Sequence, residues 1–363
     1  MAVAVLGGQT MQAPSAPIGI LYEHPEWFRP LFAELDRRGL RYERLRAQAL
    51  AFDPARRPPY GLVLNRMSPS AYLRGHGHAI FASLAFLDAL DRHGVPTVNG
   101  AAAFRLELSK TAQIALLARL GLPYPRSCAI NHPSRALEAA DDLVFPLLVK
   151  PNIGGSGAKI QRFETRAALE AAVAGGTLDL GIDQTALVQE YHPPADGAIV
   201  RVEVLDGELL YAIRIYPNPD EGFNLCPADI CRDPAAGTDL PAAAAGVPTA
   251  AGPAAAPDLD FCPADLPKTS LKVEGYTAPQ DAVADVVHIA RAAQIDIGGI
   301  EYLVSARDGR RYYYDVNALS NFVSDAPAVV GFDPVPVFVD YLERRVAQAP
   351  AGAGRAARQA DTP

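Results

Sequence analysis

The chain has 363 residues, 49% of them hydrophobic, which is enough for a sizeable core and two or three small domains without help from disulfides. Its 33 basic and 41 acidic side chains leave a formal charge of −8 with no basic tract, which argues against electrostatic binding to nucleic acid or an anionic membrane. Met1–Pro17 holds no cationic segment followed by an apolar core, and no run approaches the ~18 apolar residues of a membrane span. The expectation is a cytoplasmic protein acting on a small molecule or peptide, with homo-oligomerisation left open.

After a leader rich in Pro and Ala, Ile18–Tyr22 reads as a first strand. A helix over Glu26–Arg38 follows, with Trp27, Leu31 and Leu35 on one face and a stop at Gly39. Strands Arg41–Leu45 and Gly61–Asn65 then alternate with a long helix Gly77–His93, the pattern of a parallel sheet. This first α/β unit spans 18–103. Lys110–Leu120 reads as a short helix with Ser109 at the N-cap. A lysine in a first helical turn opposes the helix dipole unless an anion is near, although a solvated surface lysine accounts for Lys110 equally well.

The next stretch, Arg126–Tyr191, holds an apolar strand Leu147–Val149, a helix Thr165–Ala174 and a strand Ala186–Val188. Antiparallel strands Ile199–Leu205 and Glu208–Tyr216 follow, joined by Asp206-Gly207. Residues 233–267, crowded with Ala, Pro and Gly, read as a mobile insertion. Asn224–Ile230 and Asp260–Leu266 share a Cys-Pro-Ala-Asp core, to which no function is assigned. Beyond the insertion come a helix Gln280–Ala293, a hairpin Gly298–Asn317, a helix Val335–Ala347 and a tail expected to be disordered. Cys128, Cys226, Cys231 and Cys262 lack paired Cys-x-x-Cys spacing, so reduced thiols are expected and a structural zinc is not.

Two stretches carry chemistry. The strand ending in Lys150-Pro151 runs into Gly154-Gly155-Ser156-Gly157, where free backbone N–H groups and a lysine suit phosphate oxygens. Neither the Walker A nor the dinucleotide spacing is present, and Ala158–Phe163 reads as a returning strand, so the loop is a hairpin tip able to act as a flap. The second stretch is the hairpin carrying Glu301 on one strand and Asp315 and Asn317, two apart and therefore on one face, on the other. Such oxygen donors suit Mg²⁺, while a polar solvated sheet face explains them as well until the phosphate loop is considered. A two-residue Asp308-Gly309 turn would put Glu301 opposite Val316, on the wrong face. A three-residue loop, Arg307-Asp308-Gly309, puts it opposite Asp315, which predicts a positive φ at Gly309 and an odd register shift.

Together these residues resemble the ATP-grasp superfamily, most closely its carboxylate–amine ligases of the ribosomal-protein glutamate-ligase and glutathione-synthetase type, over about Ile18–Ala347. The resemblance implies an α/β (α+β ATP-grasp) fold: an N-terminal parallel α/β domain (18–103), a central lid subdomain with the flap (104–190), and a C-terminal subdomain with the metal site (191–347), the last two clasping ATP. It implies that Lys110 and Lys150 hold the α- and β-phosphates, with Gly154, Gly155, Ser156 and Gly157 as the flap. Gln189, Glu190, Tyr191 and His192 would recognise adenine. Arg201 and Arg214 would face the γ-phosphate and the acyl phosphate, and Glu301, Asp315 and Asn317 would hold Mg²⁺, two ions or Mn²⁺ in its place. The family has Asp before Glu at the two metal carboxylates, the reverse of this chain. Its ribose acid stands where this chain has Ile199, and Asp196 is the nearest substitute. Ser320 and Asn321 would line the acceptor pocket. Arg66 suits a substrate carboxylate, though a surface arginine fits the sequence as well.

The activity implied is ATP-dependent amide or peptide bond formation through an acyl phosphate, with release of ADP and phosphate. Two rivals stand beside it: a phosphotransferase on the same scaffold, and a nucleotide-binding regulatory protein without turnover.

Overall fold

The computed structural model describes residues 16–155, 157–217, 223 and 271–348. Ser156, the 233–267 insertion, both Cys-Pro-Ala-Asp segments with Cys226, Cys231 and Cys262, and the tail from 349 lie outside the described residues.

The first sheet is parallel. Strand β1 (Ile18–Tyr22) is followed by helix α1 (Arg29–Arg37), β2 (Tyr42–Arg46), β3 (Leu62–Arg66), α2 (Gly77–Arg92) and β4 (Thr97–Val98), and the strands lie in the order β2-β1-β3-β4. The expected helix from Glu26 is split: Pro25–Phe28 forms a 3-10 turn and α1 begins only at Arg29. Pro30 is the reason, since it has no amide hydrogen and is tolerated only in a first helical turn. The carboxyl ends of β1 and β3, at the crossover of strand order, point their following loops at the cavity described below.

Two short helices, α3 (Ala101–Glu107) and α4 (Lys110–Arg119), lead into a four-stranded antiparallel sheet. It is built from β5 (Ser127–Ile130), α5 (Ala136–Ala139), β6 (Leu147–Pro151), β7 (Gln161–Phe163), α6 (Arg166–Ala174) and β8 (Ala186–Glu190), with strand order β5-β8-β6-β7. The third sheet contains β9 (Ile199–Leu205), β10 (Glu208–Tyr216), β11 (Lys272–Gly275), β12 (Ile297–Val304) and β13 (Arg311–Asn317) in the order β11-β10-β9-β12-β13. Helix α7 (Gln280–Ala292) covers one face of it, packing Val286 and Ile289 with Val200, Val202 and Ile300, and Leu116 and Leu117 of α4 join that core. Beyond β13 lie α8 (Ala326–Val330) and α9 (Pro334–Gln348). The last helix returns to the first sheet, where Phe338 and Tyr341 are buried with Ile18, Ile20 and Leu35. Among the described residues no helix is long and apolar enough to cross a membrane.

Candidate active site

A cavity of about 500 Å³ lies where the three sheets meet. Strand β6 is an inner strand of its sheet, and Lys150 at its end is therefore buried. Its ammonium donates to Oε1 of Gln189 at 3.3 Å and lies 5.6 Å from the centre of the Tyr314 ring; no described carboxylate forms an ion pair with it, although the charges of Asp315 and Glu301 act on it in part. Burial, with the charge of Lys110 adding to it, pulls the Lys150 pKa down to about 8. Gly154, Gly155 and Gly157 line the cavity beyond. A side chain at Gly155 would meet Ser70 at 2.7 Å, and one at Gly157 (φ 71°) would strike the Phe223 carbonyl, so glycine is required at both.

Helix α4 begins at Lys110, and the Ser109 hydroxyl caps it by accepting the Ala112 N–H at 3.1 Å. The anion that offsets a lysine in this first turn is Asp315, to which the Lys110 ammonium donates directly. Burial works against both charges, yet their attraction prevails, holding Asp315 below and Lys110 above their ordinary ranges.

On β9, Arg201 is pinned between two carboxylates, Glu203 at 2.6 Å from its Nε and Glu301 at 3.0 Å from its Nη1. Its guanidinium lies over Gly299, where a Cβ would sit 2.5 Å from it. Glu301 pairs with Asp315 across β12 and β13, so both carboxylates share the cavity face with Asn317. Burial and then the nearby Asp315 charge push the Glu301 pKa up. The register has a different origin from the one expected. Gly309 has φ 71°, but Ser305 N bonds Arg310 O, leaving a four-residue loop that would set Glu301 opposite Tyr314. A bulge between Tyr313 and Asp315 restores the Glu301–Asp315 pair and turns both Tyr314 and Asp315 into the cavity.

At the opposite end Gln189, Glu190, Tyr191 and His192 all line the cavity. The Gln189 amide donates to Ser127 Oγ at 2.9 Å, Glu190 accepts the Val144 N–H at 2.9 Å, and the His192 ring packs on Tyr312 at 4.2 Å. Arg162 stacks on Tyr191 at 4.2 Å.

Four expected site residues are placed elsewhere. Ile213, not Arg214, lies opposite Arg201 on β10, so alternation turns Arg214 to the far face, where it stacks on Tyr276 and meets Asp196 at 3.3 Å. Neither Arg214 nor Asp196 lines the cavity. Asn321 does, but Ser320 is wholly buried behind it. Arg66 is likewise sealed off, between Phe28 and Phe338, donating to the Ser320 carbonyl. It is a buried arginine where the sequence allowed a substrate contact or a surface position.

Residues 108–223 match the RimK-like ATP-grasp domain. The chain is 18% identical to the RimK domain protein ATP-grasp from Sphaerobacter thermophilus, with a TM-score of 0.60 over 90% of this chain and 99% of that one. The chain has an ATP-grasp fold. The same fold, at a TM-score of 0.57 and 18% identity over 93% of this chain and 99% of the other, occurs in the ATP-grasp ligase PsnB complexed with minimal precursor, Mg and ADP. A probable alpha-L-glutamate ligase 2 of Shewanella frigidimarina is 30% identical over 172 residues, 44% of this chain and 57% of the relative. The chain thus spans little more than half the length of that relative.

Within this ATP-grasp fold the hairpin donors suit a small divalent cation. They are two carboxylates and an amide, consistent with an ion that takes one or two carboxylates and leaves room for phosphate oxygens. Lys110 supplies positive charge at Asp315 in their present arrangement, and Asn317, which would ligate through Oδ1, has its Nδ2 buried with no hydrogen-bond partner among the described residues, a donor suited to a phosphate oxygen. Sequence reasoning missed several cavity residues. Glu107 accepts the Ala318 N–H, and burial pushes its pKa up to about 7. Gln113 follows Lys110 by three, a helical spacing that could have exposed it; Glu203, two after Arg201 on a strand, does not line the cavity but holds Arg201 there. Tyr314 could not have been found, because a bulge has no signature in this sequence.

Proposed function

We propose that this chain is an ATP-dependent carboxylate–amine ligase. The observation that carries the reading is the meeting in one cavity of Lys110, Lys150 and Arg201 with the opposed pair Glu301 and Asp315, beside a glycine turn. Adenine sits against Gln189, Glu190, Tyr191 and His192, and the phosphates run toward the two lysines and Gly154, Gly155 and Gly157. The division into segments 18–103, 104–190 and 191–347 follows the three sheets that clasp the cavity.

A substrate carboxylate oxygen attacks the γ-phosphorus of ATP as the bond to the bridging oxygen of ADP breaks. An amine then attacks the acyl carbon, phosphate leaves, and the nitrogen gives up a proton to leave an amide. Arg201, fixed by two carboxylates and needing no reorganisation, stabilises the transferring phosphoryl group; Lys110 and Lys150 orient the chain of phosphates. Glu301, Asp315 and Asn317 would hold Mg²⁺, as one ion or two, which when bound supplies further neutralisation of phosphate charge. The glycine turn, set against Ser70 in the short helical turn that follows β3, keeps water from the acyl phosphate. The substrates are small carboxylates or peptides and an amine, entering past Ser68, Asn321 and Trp27.

Incubation with ATP, Mg²⁺ and pooled amino acids and peptides tests this. Equal amounts of ADP, phosphate and amide are expected; a phosphorylated product would favour a phosphotransferase, and nucleotide binding without turnover a regulatory protein. Arg201→Met should lower turnover by about 10²–10³ with little change in ATP affinity. Arg214→Met, on the far face, should stay near wild type.

A further inference from the structure

Strand β13 is an edge strand, with β12 on one side only. An edge strand presents unpaired N–H and C=O groups on its open side. At Tyr313 the cover is backbone, the Pro123 carbonyl accepting its N–H at 2.9 Å; at Val316 it is a side chain. Gln113, buried on α4, donates its amide to the Val316 carbonyl at 2.9 Å and accepts the Val316 N–H at 3.2 Å, imitating one rung of a sheet. The same amide donates to Leu106 O at 3.1 Å, which ties it back to α3. Val316 is the residue between Asp315 and Asn317, and its own side chain is buried against α4 on the opposite face. Holding both backbone groups of Val316 therefore holds the two donors beside it.

The placement of Gln113 along α4 gives this contact a consequence. It stands one turn from Lys110, which binds Asp315, while the backbone N–H of Thr111 donates to Asn152 Oδ1 at 3.0 Å, two residues beyond Lys150. One helical turn thus carries Lys110, touches the segment that follows the strand of Lys150 and touches the strand of the oxygen donors. We infer that Gln113 is a positioning residue that fixes the metal-binding register of Asp315 and Asn317, so that its loss weakens divalent-cation binding before it weakens nucleotide binding. The inference rests on the metal reading of the hairpin given above. It places no atom of Gln113 on the ion.

The test measures ADP binding by calorimetry on the full chain, without metal and across a Mg²⁺ titration. Gln113→Met keeps length and removes all three hydrogen bonds. Because residues that orient metal ligands typically contribute about 10–100-fold to metal affinity, the Mg²⁺ concentration at half effect should rise by at least about 10-fold. Metal-free ADP affinity should stay within about twofold, since no bond to a nucleotide-facing group is lost. Tyr313→Phe is the control: it removes the 2.8 Å bond to Asp285 from the same strand on the other face, and should leave the Mg²⁺ midpoint unmoved. If Gln113→Met does not fold, Gln113→Asn, uncharged and one methylene short of both Val316 groups, takes its place with a smaller shift in the same direction. A folded Gln113 variant with the wild-type Mg²⁺ midpoint overturns the inference, as does an equal shift in Tyr313→Phe. A wild-type chain whose ADP binding ignores Mg²⁺ removes the metal reading as well, so the two failures are distinguishable.

Discussion

The two lysines of the phosphate end are alike in charge and opposite in circumstance. Lys110, on the first turn of α4, is already bound to Asp315 and is held more firmly protonated than a free lysine. Lys150, at the end of β6, has a neutral amide and an aromatic ring for company, and burial draws its pKa down to about 8. One belongs to an internal ion pair with the acidic hairpin; the other is a buried cation that Asp315 and Glu301 offset only in part, so that burial still prevails. A site assembled this way offsets much of its carboxylate charge with Lys110 and Arg201 and keeps a further buried cation at Lys150 for an anion to meet.

The largest expected effect separates the two by sign. Lys150→Met should weaken ATP binding by about 100-fold, the worth of a charge-assisted contact of about 1.5–3 kcal/mol. It should also stabilise the ligand-free chain by on the order of 1 kcal/mol, because a buried charge that Asp315 and Glu301 offset only in part is gone. Lys110→Met should do the reverse to the ligand-free chain. It leaves Asp315 and Glu301 facing each other, at a cost of about 2 kcal/mol, below the range for a fully enclosed pair since Lys110 keeps some exposure. Millimolar Mg²⁺ should restore much of that loss. Thermal unfolding of both variants, with and without Mg²⁺, checks the pattern; two variants that move in the same direction would dissolve the distinction.

A smaller effect follows from pH. The folded pKa of Lys150 lies below the ordinary lysine value of about 10.4, so between about pH 8 and 10 the unfolded chain binds more protons than the folded one. Stability of the ligand-free chain should therefore carry a component that rises through that window. Affinity for ADP should fall as pH climbs past 8, and binding there should take up a proton. Lys150→Met should abolish both trends, and Lys110, already paired, should contribute neither. Calorimetry in buffers of different ionisation heat reads the proton directly.

How much of this was legible beforehand divides along the same line. Lys150 was readable because a lysine at a strand end before Gly154-Gly155-Ser156-Gly157 is a local pattern. The environment of Lys110 was not, since Asp315 lies 205 residues away and only folding brings it near. Glu301 does pair with Asp315, but through a four-residue loop and a bulge in place of the expected three-residue loop. Between β9 and β10 the two-residue Asp206-Gly207 turn would set Arg201 opposite Ala212, on the face of Arg214, and only the skip between Leu209 and Tyr211, which the sequence does not announce, turns Arg214 away. The burial of Arg66 depended on α9 returning to the first sheet, a contact between the two ends of the chain.

The smallest expected effect tests where the register of the acidic hairpin is stored, on which the hold of Lys110 on Asp315 depends. If the loop set the register, a strained loop would move Asp315 relative to Glu301 and loosen the ion pair. The structure instead gives the loop and the bulge separate parts: the loop closes with Gly309 N donating to Ser305 O at 2.8 Å, and the shift occurs later, between Tyr313 and Asp315. Gly309→Ala should cost about 1 kcal/mol, the price of a side chain at positive φ with open space around it. It should leave ADP affinity, the Mg²⁺ midpoint and the pH trends of Lys150 unchanged. A change in the Mg²⁺ midpoint larger than the loss of stability would return the register to the loop. The bulge would then be a consequence of the turn and not the device that brings Asp315 to face Lys110.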